Sequence, residues 1–254
     1  MPFGDSHDPA SRPGPRPLVL GHRGASADAP ENTLAAFGLA LKQGADGVEL
    51  DVWRCGTGEV VVVHDEDTRR TTGRSLSVPD SPLGALRELD AGAWKGEGHL
   101  GERIPLLAEA LEMLVPAIVN VELKGRDPRL SAAVAEVLRR SGAAGRVVVS
   151  SFNFELLAAF RAAAPEVARG VLLDGGYLWR MKAFVGVRLA RPAAVHPAAR
   201  LVTPGRMRRW RRRGLFVNVW TVDEPAEVFR LSGLGASALI TNVPGKVLAL
   251  LEST

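Results

Sequence analysis

No apolar stretch in this 254-residue chain approaches the roughly 18 to 20 residues of a membrane-spanning helix, so no segment is expected to cross a bilayer. The first 17 residues, MPFGDSHDPASRPGPRP, also lack the apolar core of a secretory signal. Their five prolines and two glycines predict a disordered tail ahead of a single domain at 18–254, in a cytoplasmic protein. Cysteine is almost missing: the lone Cys55 excludes an internal disulfide and a multi-thiolate zinc site, in keeping with a reducing compartment. Acidic residues are missing from one long region. Between Asp174 and Asp223 there is no Asp or Glu but eleven Arg or Lys, and taking these from the net charge of +4 leaves the remainder at −7. The positive charge is regional, and an anionic partner can use it.

What is present is an ordinary globular composition, 46% hydrophobic and 24% charged, in a chain long enough for one large barrel or two small domains. Short β-branched runs alternate with Ala- and Leu-rich stretches at helical spacing, as in repeated β/α units around a parallel sheet. The runs lie at 18–22, 46–53, 60–64, 118–123, 146–151, 169–173, 193–196, 216–221 and 238–241. Only six residues, Arg54 to Glu59, separate the second from the third, whereas a parallel crossover takes about a dozen or more. Those two runs are therefore expected to form a hairpin. A turn centred on Gly56 and Thr57, with Gly58 free to take positive φ, sets Glu49 opposite His64 and Asp51 opposite Val62.

Eight strands remain, the number of a closed (β/α)8 barrel. The intervening helices are expected at 33–43, 106–114, 129–141, 153–163, 177–190, 204–213 and 224–232, with a closing helix over Pro244–Leu251. The stretch from Asp65 to about 105 is too long for an ordinary βα loop and carries Leu83, Leu86, Leu89 and Trp94. It reads as a small cap inserted on the face where the strands end.

Working groups of such a barrel sit at the carboxyl ends of its strands. His22 and Arg23 end the first strand, Glu49 and Asp51 lie on the second, and Glu122 and Lys124 belong to IVNVELK. Spacing by two puts Glu49 with Asp51, and Glu122 with Lys124, on one strand face. Glu49, Asp51 and Glu122 bring three carboxylates to one point, a charge that calls for a cation. An all-oxygen set favours Mg²⁺ or Ca²⁺ over zinc. Arg23 and Lys124 are suited to phosphate oxygens, and His22 and His64 to moving protons. This is the equipment for splitting a phosphate ester over a metal ion.

The blocks HRGASADAPENT, GVELDVW, VVVVHDEDTRRTTG, IPLLAEAL, VNVELK and NVWTVDEP, in order between about Leu18 and Leu251, resemble the glycerophosphodiester phosphodiesterases. The resemblance implies a TIM-type barrel with a cap after its second strand, hydrolysing glycerophosphodiesters to sn-glycerol 3-phosphate and an alcohol. It implies His22 and His64 as the acid/base pair, and Glu49, Asp51 and Glu122 as ligands of one divalent cation. Arg23 and Lys124 resemble the phosphate-contacting cations and Trp220 the aromatic wall of the pocket. Glu31 and Asn32 match a family motif too, and also read simply as helix-start residues that back the site. None of the catalytic positions departs from the family pattern. Residues 174–200 match none of its blocks, and that segment follows the strand at 169–173, where substrate enters.

Within it, the basic and apolar-rich stretch 176–191 reads either as a helix packed on the barrel or as an interfacial helix making peripheral membrane contact. The second reading favours a lysophospholipase D acting on membrane lysophospholipids. A non-catalytic phospholipid-binding barrel is the rival outside the enzymes, against which the complete His and carboxylate set argues. The six arginines of Arg206–Arg213 read as the wet face of an outer helix. With one interleaved aromatic, Trp210, and no recognisable module, they do not suggest nucleic-acid binding. His196, before Pro197 at a strand end, is assigned a structural role.

Overall fold

Every parallel strand of the sheet ends at the same rim, and that rim carries the chemistry. The computed structural model describes residues 16–175 and 189–253. Its elements run β1 (Leu18–His22), α1 (Leu34–Lys42), β2 (Gly47–Arg54), β3 (Val60–Val62), α2 (Arg69–Thr72), α3 (Leu83–Arg87), α4 (Leu107–Met113), β4 (Ile118–Leu123), α5 (Pro128–Ser141), β5 (Val147–Ser151), α6 (Phe154–Ala163), β6 (Ala168–Leu173), β7 (Ala194–Pro197), α7 (Pro204–Arg211), β8 (Phe216–Val219), α8 (Pro225–Gly233), β9 (Ala238–Thr241) and α9 (Pro244–Glu252). The expected disordered tail lies outside the described residues up to residue 15. The helix expected at 177–190 and the proposed membrane-contacting stretch lie outside them from 176 to 188.

The eight parallel strands are ordered β1-β9-β8-β7-β6-β5-β4-β2, and β1 pairs with β2 to close the barrel. Val19, Val48, Val121, Val149, Val217 and Leu239 bury their side chains against the surrounding helices. The helices supply matching stripes. In α5, Asp127 caps the first turn by accepting from Arg129 N, Gly142 ends the helix in the left-handed region, and Leu130, Val134 and Leu138 line the buried face. Burying each of these leucines contributes roughly 1.5–3 kcal/mol. In α7, Met207 is buried, while Arg206, Arg208 and Arg209 are exposed, as the arginine run led one to expect. No helix among the described residues is long and apolar enough to cross a membrane.

The hairpin forms, but its register differs by one from that expected. Val52 faces Val62, Trp53 faces Val61 and Arg54 faces Val60, so neither Glu49 with His64 nor Asp51 with Val62 is a pair. Gly58 N donates to Cys55 O and Cys55 N to Glu59 O, which makes Gly56, Thr57 and Gly58 a three-residue loop. A two-residue primed turn asks for left-handed backbone at the turn centre, which a β-branched Thr57 resists. Gly58 takes that conformation instead, at φ +111°. β3 therefore stops at Val62, Val63 N still donates to Asp51 O, and His64 lies beyond the ladder in the loop that follows.

β4 occupies one edge of β2. The other is shared, with β1 along Gly47–Glu49 and β3 along Val52–Arg54. The cap after β3 has a core of its own, including Val61, Val63, Val78, Leu86, Leu89 and Ile104. It touches the β1–α1 loop through Lys95, whose Nζ donates to Ser26 O at 2.7 Å.

Candidate active site

The turn after β1 brings Arg23 and Gly24 into the left-handed region at φ +56° and +88°. A Cβ at Gly24 would lie 2.5 Å from the backbone carbon of Ala36, so only glycine lets α1 press against this turn. Arg23 N then donates to Glu49 Oε2 at 3.1 Å. Asn32 is also left-handed, at φ +58°, and such non-glycine residues cost about 1–3 kcal/mol unless their surroundings hold them. Here Asn32 Nδ2 donates to Asp51 Oδ2 at 2.9 Å and Asn32 Oδ1 accepts from Asp51 N at 3.2 Å. The N-cap of α1 is Thr33, so Asn32 backs the carboxylate site directly.

Glu49 and Asp51 on β2 and Glu122 on β4 are buried, and one oxygen from each lies within 4.8 Å of the others. Lys124 Nζ lies 2.6 Å from Glu122 Oε1 and 2.9 Å from Asp51 Oδ1, and Arg23 Nε lies 3.2 Å from Asp51 Oδ2. Burial opposes ionisation of Asp51, but Lys124 and Arg23 hold it below the usual carboxylate range. Burial, and then the charges of Asp51 and Glu122, push Glu49 well up. Burial and the charge of Asp51 push Glu122 up to about 7. Two fixed cations thus leave three carboxylates under-compensated. The oxygen-only donor set fits one hard divalent cation.

His22 Nε2 lies 3.9 Å from Glu49 Oε2, and its Nδ1 is 2.8 Å from Oδ1 of Asn242, just past β9. His64 Nδ1 is 2.6 Å from Asp65 Oδ1. Asp65 Oδ2 accepts from Arg70 Nε at 2.6 Å, Arg70 also grips both oxygens of Glu31, and Glu31 Oε1 accepts from Arg23 Nη1 at 2.8 Å. A ladder of alternating charge so connects His64, through the cap, to Arg23. Burial is the main cause that lowers both histidines from the ordinary imidazole value.

The groups border a cleft of about 530 Å³. His22, Arg23, Glu49, His64, Glu122 and Lys124 form its polar side, while Phe152, Leu172, Trp220 and Ile240 form an apolar wall. Phe152 and Trp220 meet edge to face, ring centres 5.7 Å apart. Asp51 lies behind this lining. His196 is elsewhere in the barrel interior: fully buried, its Nε2 3.1 Å from Asn218 Nδ2, and held neutral by burial, which lowers it to about 3. A Cβ on Gly170 would fall 2.3 Å from its ring, so glycine makes room for it.

All eight residues expected at the site thus come together. Phe152, Arg70, Asp223 and Asn242 did not emerge from the sequence as site residues. The last two carried a signal, since Asp223 lies in the block NVWTVDEP and Asn242 directly follows the final strand.

The sequence profile of the glycerophosphoryl diester phosphodiesterase family matches residues 22–246. A glycerophosphodiester phosphodiesterase of Caldanaerobacter subterraneus is 34% identical over 242 residues, 92% of this chain and 98% of that protein. The solved structure of an Oleispira antarctica phosphodiesterase in complex with the product sn-glycerol-3-phosphate superposes with a TM-score of 0.84 at 31% identity. It covers 93% of this chain and 97% of its own. A lysophospholipase D of Homo sapiens is 27% identical over 90% of this chain and 84% of that protein.

Proposed function

Because the chain belongs to the glycerophosphoryl diester phosphodiesterase family, and so is a phosphoric diester hydrolase, we propose that it cleaves glycerophosphodiesters to sn-glycerol 3-phosphate and an alcohol. The observation that carries this reading is the meeting of Glu49, Asp51 and Glu122 with His22 and His64 around one cleft. Glu49, Asp51 and Glu122 would hold one divalent cation, Mg²⁺ or Ca²⁺, whose charge polarises a phosphoryl oxygen when bound. Lys124 and Arg23 add positive charge on the same side of the phosphate. One histidine removes the proton of the attacking hydroxyl, which is water or the glycerol 2-hydroxyl. The other gives a proton to the leaving oxygen. Trp220, with Phe152, offers an apolar surface to the carbon portion of the substrate. We read 18–254 as one barrel domain carrying its cap at about 65–105, in a cytoplasmic enzyme.

A second reading, lysophospholipid cleavage, is favoured by the human lysophospholipase D relative and by the apolar wall with its 38% exposed Phe152. One assay separates the two. Chelated protein is supplied with Mg²⁺ or Ca²⁺ and given glycerophosphocholine, glycerophosphoethanolamine, glycerophosphoglycerol or lysophosphatidylcholine, and sn-glycerol 3-phosphate or lysophosphatidate is measured. Release of sn-glycerol 3-phosphate, abolished by chelator and restored by cation, is expected. Full turnover in chelator would defeat the metal-dependent mechanism, and preferential release of lysophosphatidate would favour the second reading.

A further inference from the structure

Neither Asp223 nor Asn242 lines the cleft, yet their hydrogen bonds determine which nitrogen of His22 carries a proton. Asp223 Oδ1 accepts from Asn242 N at 2.8 Å and from Thr241 Oγ1 at 2.9 Å, so the carboxylate is pinned to the end of β9. Its second oxygen accepts from Asn242 Nδ2 at 2.6 Å. An amide oxygen cannot occupy that place against a carboxylate, so the two ends of the Asn242 amide are told apart by charge. Oδ1 must therefore face the other way, where Ser26 Oγ lies at 2.8 Å and His22 Nδ1 at 2.8 Å. Asn242 O also accepts from Ala27 N at 3.1 Å, which holds the β1–α1 loop in place beside it.

An amide oxygen only accepts. The ring nitrogen facing it must carry hydrogen, which in neutral imidazole leaves the lone pair on Nε2, the atom beside Glu49. We infer that Asp223 and Asn242 are positioning residues that hold His22 as the Nδ1–H tautomer and aim the Nε2 lone pair into the cleft. The two histidines are thus oriented by different devices, His22 by an amide fixed by a remote carboxylate and His64 by the carboxylate of Asp65 itself. The inference deepens the acid/base reading above and rests on it for its catalytic consequence, but the tautomer can be measured without turnover.

The relay makes a specific demand on substitutions. In D223N the introduced amide and that of Asn242 cannot both keep their partners. The introduced oxygen stays with Asn242 N and Thr241, which presents an NH₂ to the Asn242 side chain and turns its amide round, so that an N–H group faces His22. In the exchange D223N/N242D the order is restored. The amide now at position 223 donates to the carboxylate now at position 242, and that carboxylate again only accepts from His22 and Ser26.

The test is a two-bond ¹H–¹⁵N spectrum of histidine-labelled protein near pH 8 without substrate, the His22 signals being assigned by their loss in H22Q. Wild type and the exchange variant should show protonated Nδ1 and bare Nε2. D223N and N242A should lose that state, with kcat falling at least tenfold and KM changing less than about threefold, as for a mis-set general base. In the exchange variant kcat should return to within about fivefold of wild type. An Nε2–H tautomer in wild type overturns the inference. So does unchanged kcat in N242A, or a loss of kcat that the exchange variant does not recover. If wild type cleaves none of the phosphodiesters, the functional reading fails while the spectrum still decides the tautomer.

Discussion

Nδ1 of His64 lies 2.6 Å from Oδ1 of Asp65, and Asp65 is gripped from its other side by Arg70 of the cap. The cap therefore reaches His64 through the carboxylate of Asp65. D65A should lower kcat by roughly ten- to hundredfold while leaving KM nearly unchanged, since it frees the imidazole without removing it. Steady-state kinetics on the best glycerophosphodiester checks this; wild-type kcat would show that Asp65 does not orient His64.

H22A and H64A should each lower turnover by at least about a hundredfold, the usual cost of losing a general acid or base. The double variant should be little worse than the poorer single one, because both groups serve the same turnover. Near-normal rates in both single variants would end the two-histidine mechanism.

Crowding gives the metal site a pH signature. Glu49 and Glu122 have folded-state values above those of free carboxyl groups, Glu122 at about 7. Their contribution to stability is therefore fully present below about pH 4.3 and is lost as pH rises through the folded values. A divalent cation binds the ionised form, so it relieves the repulsion that appears above that window. Mg²⁺ should raise Tm more at pH 8 than at pH 5, and E122Q should lose most of that gain. Equal shifts at both pH values, by scanning calorimetry with chelator as reference, would contradict the assignment.

Arg70 binds Glu31 and Asp65 together, and both carboxylates sit below their ordinary values. Burial opposes the shift, but Arg70 overcomes it at both, joined by Arg23 at Glu31 and by His64 at Asp65. A depressed carboxylate stabilises above the unfolded value near pH 4 and ceases to do so as pH falls through the folded value. R70M should therefore lower Tm at pH 7 by about 2–4 °C, modest because half-exposed ion pairs are screened. The deficit should close below about pH 4. A deficit independent of pH would mean lost packing and not lost charge.

Gly58 carries the left-handed backbone of the hairpin loop. At φ +111° a side chain is strained, and a Cβ there would sit 3.0 Å from Arg54 Nη2, so G58A should destabilise by about 1–3 kcal/mol yet keep kcat within about threefold. Deleting Gly58 leaves Gly56 and Thr57 between Cys55 and Glu59 and so keeps the register, but it puts left-handed backbone on the β-branched Thr57 and should destabilise more than G58A. Urea unfolding and turnover measured together distinguish the two variants.

The strand runs, the barrel they close and the gathering of His22, Arg23, Glu49, Asp51, His64, Glu122 and Lys124 at one rim were legible in the sequence because each depends on local pattern, whereas Trp220 was expected from the family resemblance alone. β-branched runs alternate with helical stripes, and the chemical groups gather where strands end. The hairpin was legible only in part, since Gly56-Thr57-Gly58 permits both a two- and a three-residue loop, and the cost of left-handed backbone at Thr57 decides between them. Residues near one another only after barrel closure were not legible at all. Asn242 stands 220 positions from His22, and no periodicity or spacing reports a hydrogen bond made by bringing the last strand against the first. By itself the sequence determined which groups the site would contain. Only the tertiary structure decided how each is aimed, because tautomer, amide orientation and ion-pair order follow from contacts between distant strands, and those exist only once the barrel is closed.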